Sequence, residues 1–287
     1  MRLISYRHQG VAAAGAVDSD ERIAPILSES DGISPMRRLL EQGTESVRAA
    51  ADTALSAPYR HALDDVEILP LVPDPRAIWC AAGTYRAHLQ EGGHKETTEP
   101  PWFLRVSESL CGAGAAIVRP FVSERLDYEG ELALVIGRRA RHISESQAMG
   151  YVAGFTCFND ASVRDWQVHS TQIGPGKNFA STGAVGPWLV TPDSFGNPYE
   201  KQLQTRLNGE VVQSASIGEL MFTIEHMIAY LSTICALLPG DIIGTGTCAG
   251  VGNRRTPQLF MKPGDTVEVS IDRIGVLANP IVQEEKA

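Results

Sequence analysis

Asp127-Tyr128-Glu129-Gly130-Glu131-Leu132-Ala133-Leu134-Val135-Ile136-Gly137 is the stretch that decides how the rest of the chain is read. Its second half is an apolar run of strand length, closed by Gly137. Side chains alternate between the two faces of a strand, so Asp127, Glu129 and Glu131 point the same way. Two strand rises set the Cα atoms of Glu129 and Glu131 roughly 7 Å apart, and long Glu side chains converge from there on one point. Two carboxylates beside a buried strand repel each other and lose hydration, so they require a compensating charge. A hard divalent cation supplies it, since magnesium takes oxygen ligands and keeps waters that a substrate can replace. An exposed strand edge with solvated acids has the same pattern, and the spacing alone leaves both readings open.

The 287 residues carry 34 Asp and Glu against 25 Lys and Arg, a formal charge of −9. That balance argues against a nucleic-acid partner. The densest basic run, Arg138-Arg139-Ala140-Arg141, is too short to reverse it. The five cysteines (Cys80, Cys111, Cys157, Cys235 and Cys248) are odd in number and form no Cys-x-x-Cys unit. Neither a disulfide framework nor a structural zinc site fits, and a reducing cytoplasm is the expected compartment. No apolar run has signal-peptide character at the N-terminus or the length to span a membrane.

Residues 1–70 read as a small α+β domain. Strands are expected over residues 3–6 and 11–17. Ser34-Pro35 then opens a helical pattern that breaks at Gly43 and resumes to about Leu55. The Pro-rich Pro70-Leu71-Val72-Pro73-Asp74-Pro75 marks a boundary, and residues 71–287 form the larger domain. Within it, a helix over residues 85–91 puts His88 and Glu91 three apart on one face. A carboxylate beside an imidazole fixes its tautomer and raises its basicity, as a general base requires. Gly83 and Gly92-Gly93 would let that helix move as a lid. An ordinary surface contact has the same His-x-x-Glu spacing.

Residues 151–158 read as a buried strand ending in Asn159-Asp160. Asp160 is then either a third metal ligand or the cap of a helix over residues 161–167. Lys177, in the Gly/Pro loop Gly174-Pro175-Gly176-Lys177-Asn178, would bind a carboxylate or a developing oxyanion, or simply be solvated. Asn208-Gly209 between two apolar runs is the strongest hairpin signal in the chain. Apolar residues recurring from Ile224 to Leu238 define a core-facing helix stopped by Pro239-Gly240. The loop over residues 244–252 would bring backbone N–H groups and Thr247 toward an anionic ligand.

Taken in order, these pieces resemble the fumarylacetoacetate hydrolase family over about residues 70–283. The likeness rests on Tyr85-x-x-His88-x-x-Glu91, the stretch 127–132, Asn159-Asp160 with Val163-Arg164-Asp165 and Gln167, and Gly176-Lys177-Asn178-Phe179. It continues through Pro239-Gly240-Asp241, Thr245-Gly246-Thr247 with Gly250-Val251-Gly252, and residues 259–265. The resemblance implies a sheet-dominated α+β fold, a rolled β-sandwich with peripheral helices, and a homodimer. It implies magnesium or manganese held by Glu129, Glu131 and Asp160. His88 and Glu91 match a catalytic dyad on a mobile lid, with Lys177 beside them. Tyr85, Arg164, Gln167 and Thr247 match positions that face substrate. The chain departs from the family at Thr84 (often Asn), Arg105 (commonly Lys), Ser107-Glu108-Ser109 (usually containing prolines) and Cys248 (frequently Pro).

The activity so implied is metal-dependent hydrolysis of a C–C bond in a 2,4-diketo acid such as an acylpyruvate. His88 would take a proton from the attacking water, and the products would be pyruvate or a related keto acid and a carboxylic acid. A 2-oxo acid decarboxylase, a tautomerase and a 2-hydroxy-diene-dioate isomerase use the same groups and stand as alternatives. A non-catalytic metal-dependent binding protein is more distant, because His88 and Glu91 are both present. A glycosidase using Glu129 and Glu131 is more distant still, because residues two apart on a strand approach a ligand from one side.

Overall fold

In a computed structural model, which describes residues 1–29 and 32–286, the strand Gly130–Ile136 lies inside an eleven-stranded sheet. It pairs antiparallel with Val152–Asn159 on one side and with Ile242–Gly244 on the other. All seven of its residues are buried. Leu132, Leu134 and Ile136 enter one core, and Ala133 and Val135 enter a second on the opposite face. A strand covered on both faces needs the continuous apolar run seen in its sequence.

The sheet path runs Ile23–Ser28, Val11–Val17, Arg2–His8, Gly183–Val190, Val152–Asn159, Gly130–Ile136, Ile242–Gly244, Ile78–Ala81 and Trp102–Arg105. Arg2–His8 joins Gly183–Val190 through Arg2↔Val190 and Leu3↔Leu189, so the leading residues continue the central sheet. A second sheet of five strands runs Glu210–Ser216, Gln202–Leu207, Thr266–Ile271, Gly275–Gln283 and Ile117–Arg119. Leu203, Val267, Val269 and Leu277 from this sheet share one core with Phe155, Cys157 and Trp188 from the first. This is the α+β sandwich the sequence predicts, with its helices outside.

Helices Pro35–Glu41 and Thr44–Ser56 cover the other face, placing Met36, Leu39, Leu40, Val47 and Ala51 against Ala133, Val135 and Leu189. Ser34 caps the first by accepting from Arg37 N at 3.3 Å. Asn208 and Gly209 turn the expected hairpin with positive φ at both positions (53° and 82°).

Two local expectations need correction. Residues 161–167 are a short strand, Ser162–Val163, followed by one turn of helix, Arg164–Gln167, so Asp160 caps nothing. The helix from Ile224 ends at Ile234, short of Leu238, because Leu237 turns back to pair with Ala140. Among the described residues no helix is long and apolar enough to cross a membrane. All five cysteines are free thiols.

Candidate metal and acid–base site

Register at the end of the central strand pair assembles the acids. Gly130 lies opposite Asn159, which brings Asp160 level with Glu129. Asp160 N donates to Glu129 O at 2.9 Å, and Glu129 N donates to Asn159 Oδ1 at 3.0 Å. One carboxylate oxygen each from Glu129, Glu131 and Asp160 lies within 4.8 Å of the others, and all three residues are buried. The solvated-edge reading of the acidic strand is therefore overturned.

Cations surround this cluster unevenly. Lys177 Nζ sits 2.6 Å from Glu129 Oε2 and 2.6 Å from Asp160 Oδ2, and donates to Asp160 O at 3.0 Å. Arg164 Nη1 is 2.6 Å from Glu129 Oε1, and its Nε donates to Asp127 Oδ2 at 2.8 Å. Arg105 Nη1 donates to Asp160 Oδ1 at 2.6 Å. Burial alone would raise the pKa of Glu129, but Lys177 and Arg164 outweigh it and hold that carboxyl low. Among the described residues Glu131 has no cation within ion-pair distance. Gly246 N donates to its Oε2 at 2.9 Å, while burial, Asp160 and Glu129 all push its pKa well up.

Four buried carboxylates (Asp127, Glu129, Glu131, Asp160) thus meet three buried cations (Arg105, Arg164, Lys177). The uncompensated charge falls on Glu131. Hard oxygen donors, converged and one cation short, fit a divalent metal ion of the magnesium or manganese class. Arg164 Nη2 adds a buried N–H with no partner among the described residues, suited to an anionic ligand arriving at the same place.

The opposite wall carries the dyad on the helix Arg86–Gly92. His88 Nδ1 lies 2.9 Å from Glu91 Oε1, and Glu91 Oε2 accepts from Gly250 N at 2.9 Å. Burial would raise Glu91, but the His88 contact and the Gly250 N–H outweigh it and keep it ionised. An ionised Glu91 holds the proton on Nδ1 and leaves Nε2 as the basic nitrogen.

His88, Glu129, Glu131, Arg164, Gln167, Lys177 and Thr247 line one cavity of about 590 Å³. Gln167 Oε1 accepts from Arg164 Nη1 at 3.0 Å, which leaves its amide N–H groups for a ligand. Thr247 Oγ1 donates to Gly130 O at 2.9 Å and accepts from Gln213 Nε2 at 2.8 Å.

Tyr85 does not line the cavity. It occupies the N-cap position of the dyad helix, 2 % exposed, with its ring in the core and its backbone bridged to Leu220. Lys177 is buried, and its three hydrogens are directed at Glu129 and Asp160.

Arg105 is the residue that sequence reasoning treated only as a departure. Its guanidinium reaches Asp160, Ala161 O, Ser109 and Thr182. The available signal was an arginine closing the apolar strand Trp102–Arg105. Thr84, another departure, donates to Thr245 O at 2.7 Å and buttresses the loop that presents Gly246 N. A Cβ on Gly246 (φ +92°) would meet Thr84 Oγ1 at 2.1 Å.

Residues 77–282 match the profile of the fumarylacetoacetate (FAA) hydrolase C-terminal family. A human mitochondrial oxaloacetate tautomerase is 36% identical over 294 residues, spanning 98% of this chain and 92% of its own. Maleylpyruvate hydrolase from Sphingobium sp. SYK-6, solved with manganese(II) and pyruvate, superposes with a TM-score of 0.82 at 29% identity, over 99% of this chain and 100% of that one. A 2-hydroxyhepta-2,4-diene-1,7-dioate isomerase from Mycobacterium marinum superposes with a TM-score of 0.77 at 27% identity, over 100% of both chains.

Proposed function

The chain belongs to the fumarylacetoacetate hydrolase family, and on that premise we propose that it is a magnesium- or manganese-dependent enzyme interconverting the keto and enol forms of a small 2-oxo diacid of the oxaloacetate type. Its main support is one arrangement: His88, whose Nε2 has no hydrogen-bond partner among the described residues, lines the same cavity as the buried carboxylates Glu129 and Glu131. A divalent ion held by Glu129, Glu131 and Asp160 would polarise the keto group of the bound acid.

His88 Nε2 takes a proton from the carbon beside that keto group, and the keto oxygen gains one from the imidazolium or from solvent. Glu91 stabilises the imidazolium while it exists and keeps the ring oriented. Arg164 Nη2 and the Gln167 amide supply donors to the acid's carboxylate head. Leu89, Phe103 and Val251 line the cavity between these groups and limit water there.

The test is product analysis on oxaloacetate with magnesium. Decay of the enol absorbance faster than the protein-free rate, without release of pyruvate or CO₂, is the expected outcome. Stoichiometric pyruvate and CO₂ would replace this reading with decarboxylation.

C–C hydrolysis of a 2,4-diketo acid is the second reading. The volume of the cavity and the likeness to maleylpyruvate hydrolase favour it. His88 then takes a proton from water, the water oxygen adds to the distal carbonyl, and the C–C bond breaks to release a carboxylic acid while the imidazolium returns the proton to the departing carbon, giving pyruvate. Magnesium-dependent pyruvate release from a small acylpyruvate separates it from tautomerisation.

A further inference from the structure

We infer that Arg254, with Lys95 and His94, receives the second carboxylate of a 2-oxo diacid and so selects diacids over monoacids at this site. The inference rests on the 2-oxo acid reading of the metal end.

Besides Arg164 and Lys177, which are paired with Glu129, the cavity carries a second group of basic side chains. Its acidic lining is Glu129 and Glu131, both in the metal cluster. His94, Lys95 and Arg254 line it too, and all three are exposed. Arg254 Nη2 lies 3.4 Å from His94 Nε2. Neither Arg254 nor Lys95 pairs with a carboxylate among the described residues. Both cations therefore remain available to an anionic ligand that enters the cavity. A carboxylate placed between Arg254 and His94 accepts from both and draws Lys95 in. The 590 Å³ volume is in the range of sites that hold ligands much larger than a three-carbon acid, so a substrate anchored by its 2-oxo acid head has room to extend toward these cations.

The two sides of this contact are built differently. Arg254 sits on the turn Gly252–Arg254, whose backbone is tied to the metal end. Gly252 N donates to Asp127 Oδ1 at 2.8 Å and Asn253 N to Asp127 Oδ2 at 2.9 Å. Asp127 in turn holds Arg164, which holds Glu129. A Cβ on Gly252 would meet Leu259 O at 1.7 Å, so this packing admits only glycine. The distance from Arg254 to the acids is therefore set by the fold. His94 and Lys95 instead follow the helix that carries His88. A carboxylate bridging the two sides fastens the catalytic helix to the fixed wall, so recognition of the far end also places His88.

The experiment compares magnesium-loaded wild type with Arg254→Gln and Lys95→Gln. Exchange of the C3 protons of oxaloacetate and of 2-oxobutanoate into D₂O is followed by NMR, above the protein-free rate. Wild type is expected to prefer the diacid in kcat/KM, and R254Q to reduce that preference about 10- to 100-fold, the loss of a hydrogen bond to a charged group. Part of the loss should fall on kcat, and K95Q should move in the same direction. An unchanged preference in R254Q, or no diacid preference in wild type, overturns the inference. If neither acid exchanges, the turnover reading fails by itself, and calorimetric binding of the same two acids decides the inference. A diacid preference in affinity that R254Q abolishes supports it, and equal wild-type affinities refute it.

Discussion

Loading the protein with magnesium should stabilise it, and Glu131→Gln should remove most of that gain. At a metal concentration 100 times Kd, binding to the folded state alone contributes about 2.7 kcal/mol. For a chain of this size each kcal/mol moves Tm by about 2–4 °C, so the expected rise is about 5–11 °C. The effect should depend on pH, because Glu131 is the carboxylate left without a cation. Burial, reinforced by Asp160 and Glu129, raises its folded pKa well above the ordinary glutamate value of 4.5. A raised folded pKa means that its stability contribution is present below the unfolded pKa and is lost as pH rises through the folded one. The metal-free protein therefore loses stability on that climb, and the metal restores it. The magnesium-induced rise in Tm should grow with pH in wild type and stay nearly flat in E131Q. Scanning calorimetry at several pH values, with magnesium and with chelator, reads both trends. An equal rise in E131Q, or a wild-type rise that shrinks as pH increases, would refute the reasoning.

Other perturbations follow from the same contacts. Lys177→Met strands Glu129 and Asp160 beside each other in the core, and breaking such buried pairs costs about 3–5 kcal/mol, read as a fall in Tm without metal. Gly246→Ala forces a side chain at φ +92° against Thr84 and displaces the N–H that Glu131 accepts; weaker magnesium affinity by calorimetry is expected. Burial lowers the pKa of His226, but Glu145 and Glu99 outweigh it and leave the pKa raised. Its contribution is then full below the ordinary histidine value of 6.5 and is lost as pH rises through the raised one, so a modest decline of Tm across that window should disappear in His226→Gln.

The parts of the site legible in the sequence were those set by local periodicity. Glu129 and Glu131 were placed together by the strand's alternation of two, His88 and Glu91 by helical spacing, and the hairpin by Asn208-Gly209. Asp160 was legible as the residue after a buried strand, although only the register Gly130↔Asn159 aligns it with Glu129. What the local pattern left open or missed depends on distant partners. Lys177 sits in a loop that locally looks solvated, and its burial against Glu129 comes from residues 48 positions away. Arg105 meets Asp160 across 55 residues. The early end of the helix Ile224–Ile234 is set by Ala140, which captures Leu237, and by Arg141, which takes the carbonyls of Ser232 and Thr233. No periodicity within either segment encodes such pairings. Tyr85 carried a motif position but fell on the buried side of its helix start, a choice made by packing.

The most direct test of the central claim, that His88 and the acidic cluster act on one 2-oxo acid, is the enol decay of oxaloacetate by wild type and His88→Ala, with magnesium and with chelator. Acceleration in wild type that chelation abolishes is the expected result. H88A should be about 10²–10⁴-fold slower while keeping the magnesium-induced rise in Tm. A full rate in H88A, or a wild-type rate indifferent to the metal, would contradict it.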